Sequence, residues 1–133
     1  MVQASNHAVR EAACACIAEL CTKVSPDAVQ PHVPALLAAL LICFKDESWP
    51  CRDAASTAAG NAVAAYPAAS APRLPELYVL WCEHLHDNVP SVRENTAVAL
   101  GKVAAALPED AQPRVEQWLE CAPTVAMGLT LAA

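Results

Sequence analysis

The stretch from Asp87 to Gly101, DNVPSVRENTAVALG, has a near-copy from Asp46 to Gly60, DESWPCRDAASTAAG. Arg52 and Arg93 stand 41 residues apart, and Arg10 stands 42 before Arg52. Aligned on these arginines, the chain reads VREAACACIAEL from Val9, CRDAASTAAGNA from Cys51 and VRENTAVALGKV from Val92. Small residues fall three and six positions after each arginine (Ala13, Ala55 and Thr96; Cys16, Ala58 and Ala99). An apolar residue follows at seven (Ile17, Ala59, Leu100) and a small one at eight (Ala18, Gly60, Gly101). This spacing marks one face of an amphipathic helix. Side chains this small predict neighbouring helices at the short end of the roughly 8–10 Å packing range.

A second repeated element precedes each of the last two helices: PHVPALLAALLICFKD from Pro31 and PRLPELYVLWCEHLHD from Pro72, again 41 apart. Proline inside a helix removes a hydrogen bond and clashes with the preceding turn, but the first four helical N–H groups have no intrahelical acceptor to lose. The paired prolines are therefore read as the N1 and N4 positions of a helix. From there Val33, Leu36, Leu37, Leu40, Leu41 and Phe44 form one apolar stripe, matched by Leu74, Leu77, Tyr78, Trp81, Cys82 and Leu85. The unit is a helical hairpin. One more period predicts a further first helix at Pro113, where PRVEQWLEC begins with Val115 and Trp118 on the stripe; Pro123 then ends the pattern.

A two-helix unit of about 40–47 residues has the period of HEAT and armadillo arrays. The Asp87–Arg93 turn, with Asp46–Arg52 as its near match, resembles the intra-repeat turn of HEAT repeats, and AVALG is similar to their second helix. No third helix per repeat favours armadillo. The resemblance spans roughly residues 4–122. It implies a ladder of hydrogen bonds between successive repeats built from Asp46, Arg52, Asp87 and Arg93. Arg10 also matches, but Ala4 occupies the Asp position, which leaves the first rung without an aspartate of its own.

The expected fold is all-α: an α-solenoid of about three stacked HEAT hairpins in a single array over residues 1–133, incomplete at both ends. It comprises a second helix at 7–24, hairpins at 31–66 and 72–107, a lone first helix at 113–122 and an irregular tail at 123–133. Each end then exposes a face that capping repeats cover in a complete array. The chain is accordingly expected to be a segment of a longer array, or to dock neighbouring repeats or subunits at both ends.

Composition narrows the function. With 133 residues, 56% of them apolar, the chain can bury a core. Its richest apolar run, VPALLAALLICF, is only twelve residues long, short of the roughly 18 of a membrane span. The N-terminus lacks the basic start and apolar centre of a signal peptide. Seven cysteines with no Cys-x-x-Cys pair read as free thiols in a reducing, cytoplasmic compartment. A net charge of −6 argues against nucleic acid, whose phosphates demand a basic face.

Catalytic and metal constellations are sparse. WCEHLHD places Cys82 and His86 four apart beside Glu83 and Asp87, a spacing that suits a metal at a helix end. The structural reading outweighs it, because Cys82 belongs to the stripe, Asp87 to the turn, and LICFKD upstream has no ligand set. HEAT-like enzymes include metal-dependent hydroxylases with repeated His-Glu pairs, and bilin lyases. Here Glu83-His84 is the reverse order and occurs once. Gly60, Gly101 and Gly128 form no phosphate loop. No catalytic, cofactor-binding or metal residue is assigned.

One row invites a partner. Glu11, Asp53 and Glu94 follow the three arginines, and Ala15, Thr57 and Val98, then Glu19, Asn61 and Lys102, continue that face at four-residue steps. In HEAT arrays the second helices line the concave surface, so the resemblance implies an acidic groove edge for a partner carrying a basic segment. The competing reading is that an acid in a first turn is favoured by the helix dipole alone, by about 0.3–1 kcal/mol. Trp49, in the turn, is either a binding anchor or a lid stapled against the adjacent helix, with packing the favoured role. The expected function is a non-catalytic protein–protein interaction scaffold or adaptor, as in karyopherins, phosphatase scaffold subunits and cytoskeletal or ciliary array proteins. The alternatives are a HEAT-like lyase or hydroxylase, signalled by bound metal or pigment, and a nucleic-acid-binding HEAT-like domain.

Overall fold

The computed structural model describes residues 5–107. Seven α-helices follow in order: α1 (His7–Lys23), α2 (Pro26–Val29), α3 (Val33–Cys43), α4 (Trp49–Ala65), α5 (Pro67–Ser70), α6 (Leu74–His84) and α7 (Pro90–Ala106). Short 3-10 turns, Gln30–His32 and Ala71–Arg73, lead into α3 and α6. Among the described residues there is no strand. The 41-residue period holds between the two hairpins, since α2 and α5, α3 and α6, and α4 and α7 start 41 residues apart and have equal lengths, while α1 starts 42 before α4.

The entry to each hairpin differs from the sequence expectation. Pro31 and Pro34 do not share one helix: Pro26 opens α2 behind Ser25, Pro31 lies in the 3-10 turn, and Pro34 sits in the first turn of α3. The second hairpin repeats this with Pro67, Pro72 and Pro75. Each proline still occupies a place where its missing N–H forfeits no intrahelical bond, but this takes three short starts rather than one. The unit thus begins at Pro26, not Pro31. The span Pro26–Cys43, which contains most of the apolar run VPALLAALLICF, meets the length and apolarity of a membrane-crossing helix (18 residues, mean hydropathy 1.3). The chain divides that span among α2, a turn and α3.

The three long helices α1, α4 and α7 lie side by side with α4 in the middle, and α3 and α6 pack against α4 and α7 within their hairpins. Burial follows from that order. On α1 only Cys14, Ile17 and Cys21 are buried, whereas α4 buries Cys51, Ala55, Ser56, Ala58, Ala59, Gly60, Ala62 and Val63. Helix α4 is covered on two sides: Cys51 Sγ donates to the His7 carbonyl toward α1 (3.1 Å), while Ser56 and Gly60 meet α7. Most of these side chains are alanine-sized, which lets the seam close. The large residues of the expected stripes fill the core beneath, with Val33, Leu37, Leu40, Phe44, Leu74, Leu77, Trp81, Cys82 and Leu85 all buried. The expected helix at 113–122 and tail at 123–133 lie outside the described residues.

Candidate functional site

The arginine–aspartate pairs organise the edge where the hairpin turns meet the long helices. Arg10 Nε donates to Asp46 Oδ2 at 2.7 Å and its Nη2 to Oδ1 at 3.0 Å. Arg52 grips Asp87 in the same way, at 2.8 and 3.2 Å. The Nη1 group turns back to a backbone carbonyl: Ser5 for Arg10 (2.9 Å), Asp46 and Glu47 for Arg52 (2.8 and 3.1 Å), and Asp87 for Arg93 (2.6 Å). Oδ1 of Asp46 also accepts the N–H of Ser48 (2.9 Å), and that of Asp87 the N–H of Val89 (3.0 Å), so each carboxylate holds the start of the helix that follows. A planar guanidinium suits this two-pronged grip, and charge strengthens each bond.

Each rung joins the arginine of one unit to the aspartate of the next. Arg10 therefore has its partner in Asp46, and the Ala4 position bears only on an arginine that would precede it. The position one period beyond Asp87 is Gly128, outside the described residues. The rungs set the charge state of both aspartates. Hydrogen bonds from Arg10 hold Asp46 below its ordinary range against the opposing effect of burial. At Asp87 burial pushes upward most strongly, yet the bonds from Arg52 and Val89 together outweigh it and the net shift is downward.

The acidic row is positioned by the same stacking. Glu11, Asp53 and Glu94 stand on α1, α4 and α7, one on each of three adjacent helices. Their surroundings differ. Asn95 Nδ2 lies 2.9 and 3.0 Å from the two oxygens of Asp53, and Ser91 Oγ is 3.5 Å from Oδ2, so Asp53 ties α4 to α7. Glu94 is exposed and Glu11 half-buried. Farther along, Lys102 Nζ donates to Asn61 Oδ1 at 3.3 Å, and Glu19 pairs with Lys23 on its own helix. Thr57 is half-buried, while Val98 is 53% exposed, an apolar spot between Glu94 and Lys102 on α7. Trp49 opens α4 and is 44% exposed, so part of its ring faces outward at the start of that helix.

Three residues that sequence reasoning passed over prove to join the hairpins. His84, read only as part of a discounted metal motif, is buried; its Nε2–H donates to the Phe44 carbonyl at 2.7 Å and its ring stacks on Phe44 at 4.8 Å. It thereby satisfies a carbonyl that the C-terminus of α3 leaves without a helical donor. Burial holds His84 below its ordinary pKa, outweighing the opposing hydrogen bond to Phe44. Asn95 and Ser91 are the others, and neither is repeated upstream, where Ala54 and Pro50 stand. Only departures from the repeat could have signalled them. Among the described residues no group of three or more His, Cys, Asp or Glu could hold a metal ion. Of the described cysteines only Cys16 is exposed. Burial raises Cys14 far above the ordinary thiol range, with Cys43 adding to the shift.

Comparison with family models, with curated proteins and with solved structures finds no match to this chain.

Proposed function

We propose that the chain is a non-catalytic protein-interaction scaffold, an α-solenoid segment of HEAT type, whose partner lies across α1, α4 and α7 with a basic segment against Glu11 and Glu94. The observation that carries this reading is the side-by-side order of those helices, which sets the acidic residues in a row with exposed Val98 beside it. An amphipathic or extended basic segment matches such a surface: its cations meet Glu11 and Glu94, and its apolar side chains meet Val98. Asp53 contributes negative potential, but its oxygens are already used by Asn95 and Ser91. Trp49, half-exposed at the start of α4, is a second contact of the kind that anchors interfaces. The intracellular setting inferred from free thiols belongs to the same proposal.

The test is affinity capture with cross-linking mass spectrometry, using a carboxyl-to-amine reagent. The expected result is links from partner lysines to Glu11 and Glu94, and weaker capture by the Glu11→Gln/Glu94→Gln double variant. Asp53 is left intact so that loss of its bonds to α7 does not confuse the readout. Links confined to α3 and α6, or capture unchanged by the double variant, would reject the surface.

A further inference from the structure

The α4·α7 seam is built from matched halves, and among the described residues each half is present again, without a packed neighbour, at the other side of the three-helix row. Gly60 on α4 receives Ala99 of α7. Asn61, one residue on, accepts from Lys102 of α7 at 3.3 Å. One period later α7 offers Gly101, with no described atom within 4 Å of the place its Cβ would occupy, and Lys102 in the register of Asn61. On α1 the residues in register with Ala99 and Lys102 are Cys16 and Glu19, both exposed. The outer face of α1 carries an open apolar groove of about 670 Å³ lined by Val9, Ala12, Ala13, Cys16 and Ile17 among others. Those positions correspond to the side of α4 that lies against α1, where Cys51, Ala55 and Ala58 are fully buried.

We infer that the outer face of α7 docks into the α1 groove of a second copy of this chain, continuing the row of long helices head to tail. The interface within the chain is the template: the Gly60·Ala99 approach becomes Gly101 against Cys16 of the second copy, and the Asn61–Lys102 contact becomes Lys102 against Glu19. The charges favour this order. Lys102 and Glu19 are opposite in sign, whereas two α1 faces joined in the register of the α4·α7 seam would oppose Glu19 to Glu19. Glu19 is 60% exposed in its pair with Lys23, so it can exchange partners at little cost. The docked surfaces differ, so the contact is heterologous, and each added copy presents the same two faces to further copies. This inference does not depend on the acidic row, which lies in the same helices but binds a different ligand.

The experiment is sedimentation velocity of the full chain over a wide concentration range, with iodoacetamide labelling of Cys16 in parallel. The mass should climb past that of a dimer, and Cys16 labelling should slow as it does. Lys102→Glu and Glu19→Lys should each weaken association about three- to tenfold, the scale of turning one exposed ion pair into a like-charge pair. Carrying both changes in one chain should restore it. Gly101→Leu should leave the helical circular dichroism intact, because no described residue lies against that position, and abolish association. A single-chain mass at every concentration, or a closed dimer indifferent to Lys102→Glu, would overturn the inference.

Discussion

Gly60→Ala and Gly101→Ala add the same methyl at the same place in two copies of one helix, and the structure assigns them opposite signs. At Gly60 a Cβ would lie 2.9 Å from the Cβ of Ala99 and 3.2 Å from its Cα. Carbon atoms pack at about 3.5–4.0 Å, so α4 and α7 must separate by some tenths of an ångström. The obstacle includes backbone, which cannot swing aside. Separation also stretches the Ser56–Thr96 contact at 3.3 Å, in which Ser56 donates because the Thr96 hydroxyl already gives its proton to the Val92 carbonyl. Overpacking of this kind costs about 1–3 kcal/mol, against a gain in helix propensity of about 1 kcal/mol. The net effect of Gly60→Ala is a loss of up to about 2 kcal/mol. At Gly101 no described residue opposes the methyl, and the gain of about 0.5–1 kcal/mol stands alone. Urea unfolding followed by circular dichroism in dilute solution measures both. Thermal melts should separate the variants at roughly 3–6 °C per kcal/mol for a chain of this size. In a double-mutant cycle, Ala99→Gly should relieve part of the Gly60→Ala loss, with a coupling of at least about 0.5 kcal/mol. Two Gly→Ala effects that agree in sign and size, or zero coupling to Ala99, would refute the close approach of α4 and α7.

Asp87→Ala should destabilise by about 1.5–3 kcal/mol in urea unfolding, since it strips Arg52 of a two-pronged partner and the Val89 N–H of its acceptor while the guanidinium stays mostly covered. His84 is held below its ordinary value in the fold, so the unfolded chain takes up its proton first. Stability is full above about pH 6.5 and falls as pH drops below it. His84→Gln should flatten that limb of a pH series of unfolding curves, and an unchanged slope would count against its burial. The lowered Asp46 and Asp87 act in a separate window: their contribution is present above the ordinary carboxylate pKa of about 4 and is lost as pH falls through their lower folded values. Among the described cysteines of the dilute native protein, mass-mapped alkylation should reach Cys16 well before Cys14, Cys21, Cys43, Cys51 or Cys82.

Much of the architecture was legible because a repeat reports on packing three times over. The shared arginine register located α1, α4 and α7 and their small-residue faces, and the apolar stripes located α3 and α6. The extra short helices α2 and α5 escaped notice, although Ser25-Pro26-Asp27 carries the cap, N1 proline and first-turn acid of a helix start. The three-residue spacing of the paired prolines fits the first turn of one helix as well as a 3-10 turn leading into another, so spacing alone does not separate the two. The candidate surface was less legible. Glu11, Asp53 and Glu94 look equivalent along the chain, yet Asn95 and Ser91 occupy Asp53 alone. Trp49 could not be placed at all by pattern, since its counterpart one period on is Pro90.

Periodicity of side-chain size and polarity determined the helices, their register and which faces are apolar, because those depend on residues three or four apart on one element. Which acids keep their charge free, which carbonyl takes the His84 proton and which glycine is pressed by a neighbour depend on atoms some 40 positions distant. Those distances close only when whole helices settle against one another, and only the tertiary structure decided them.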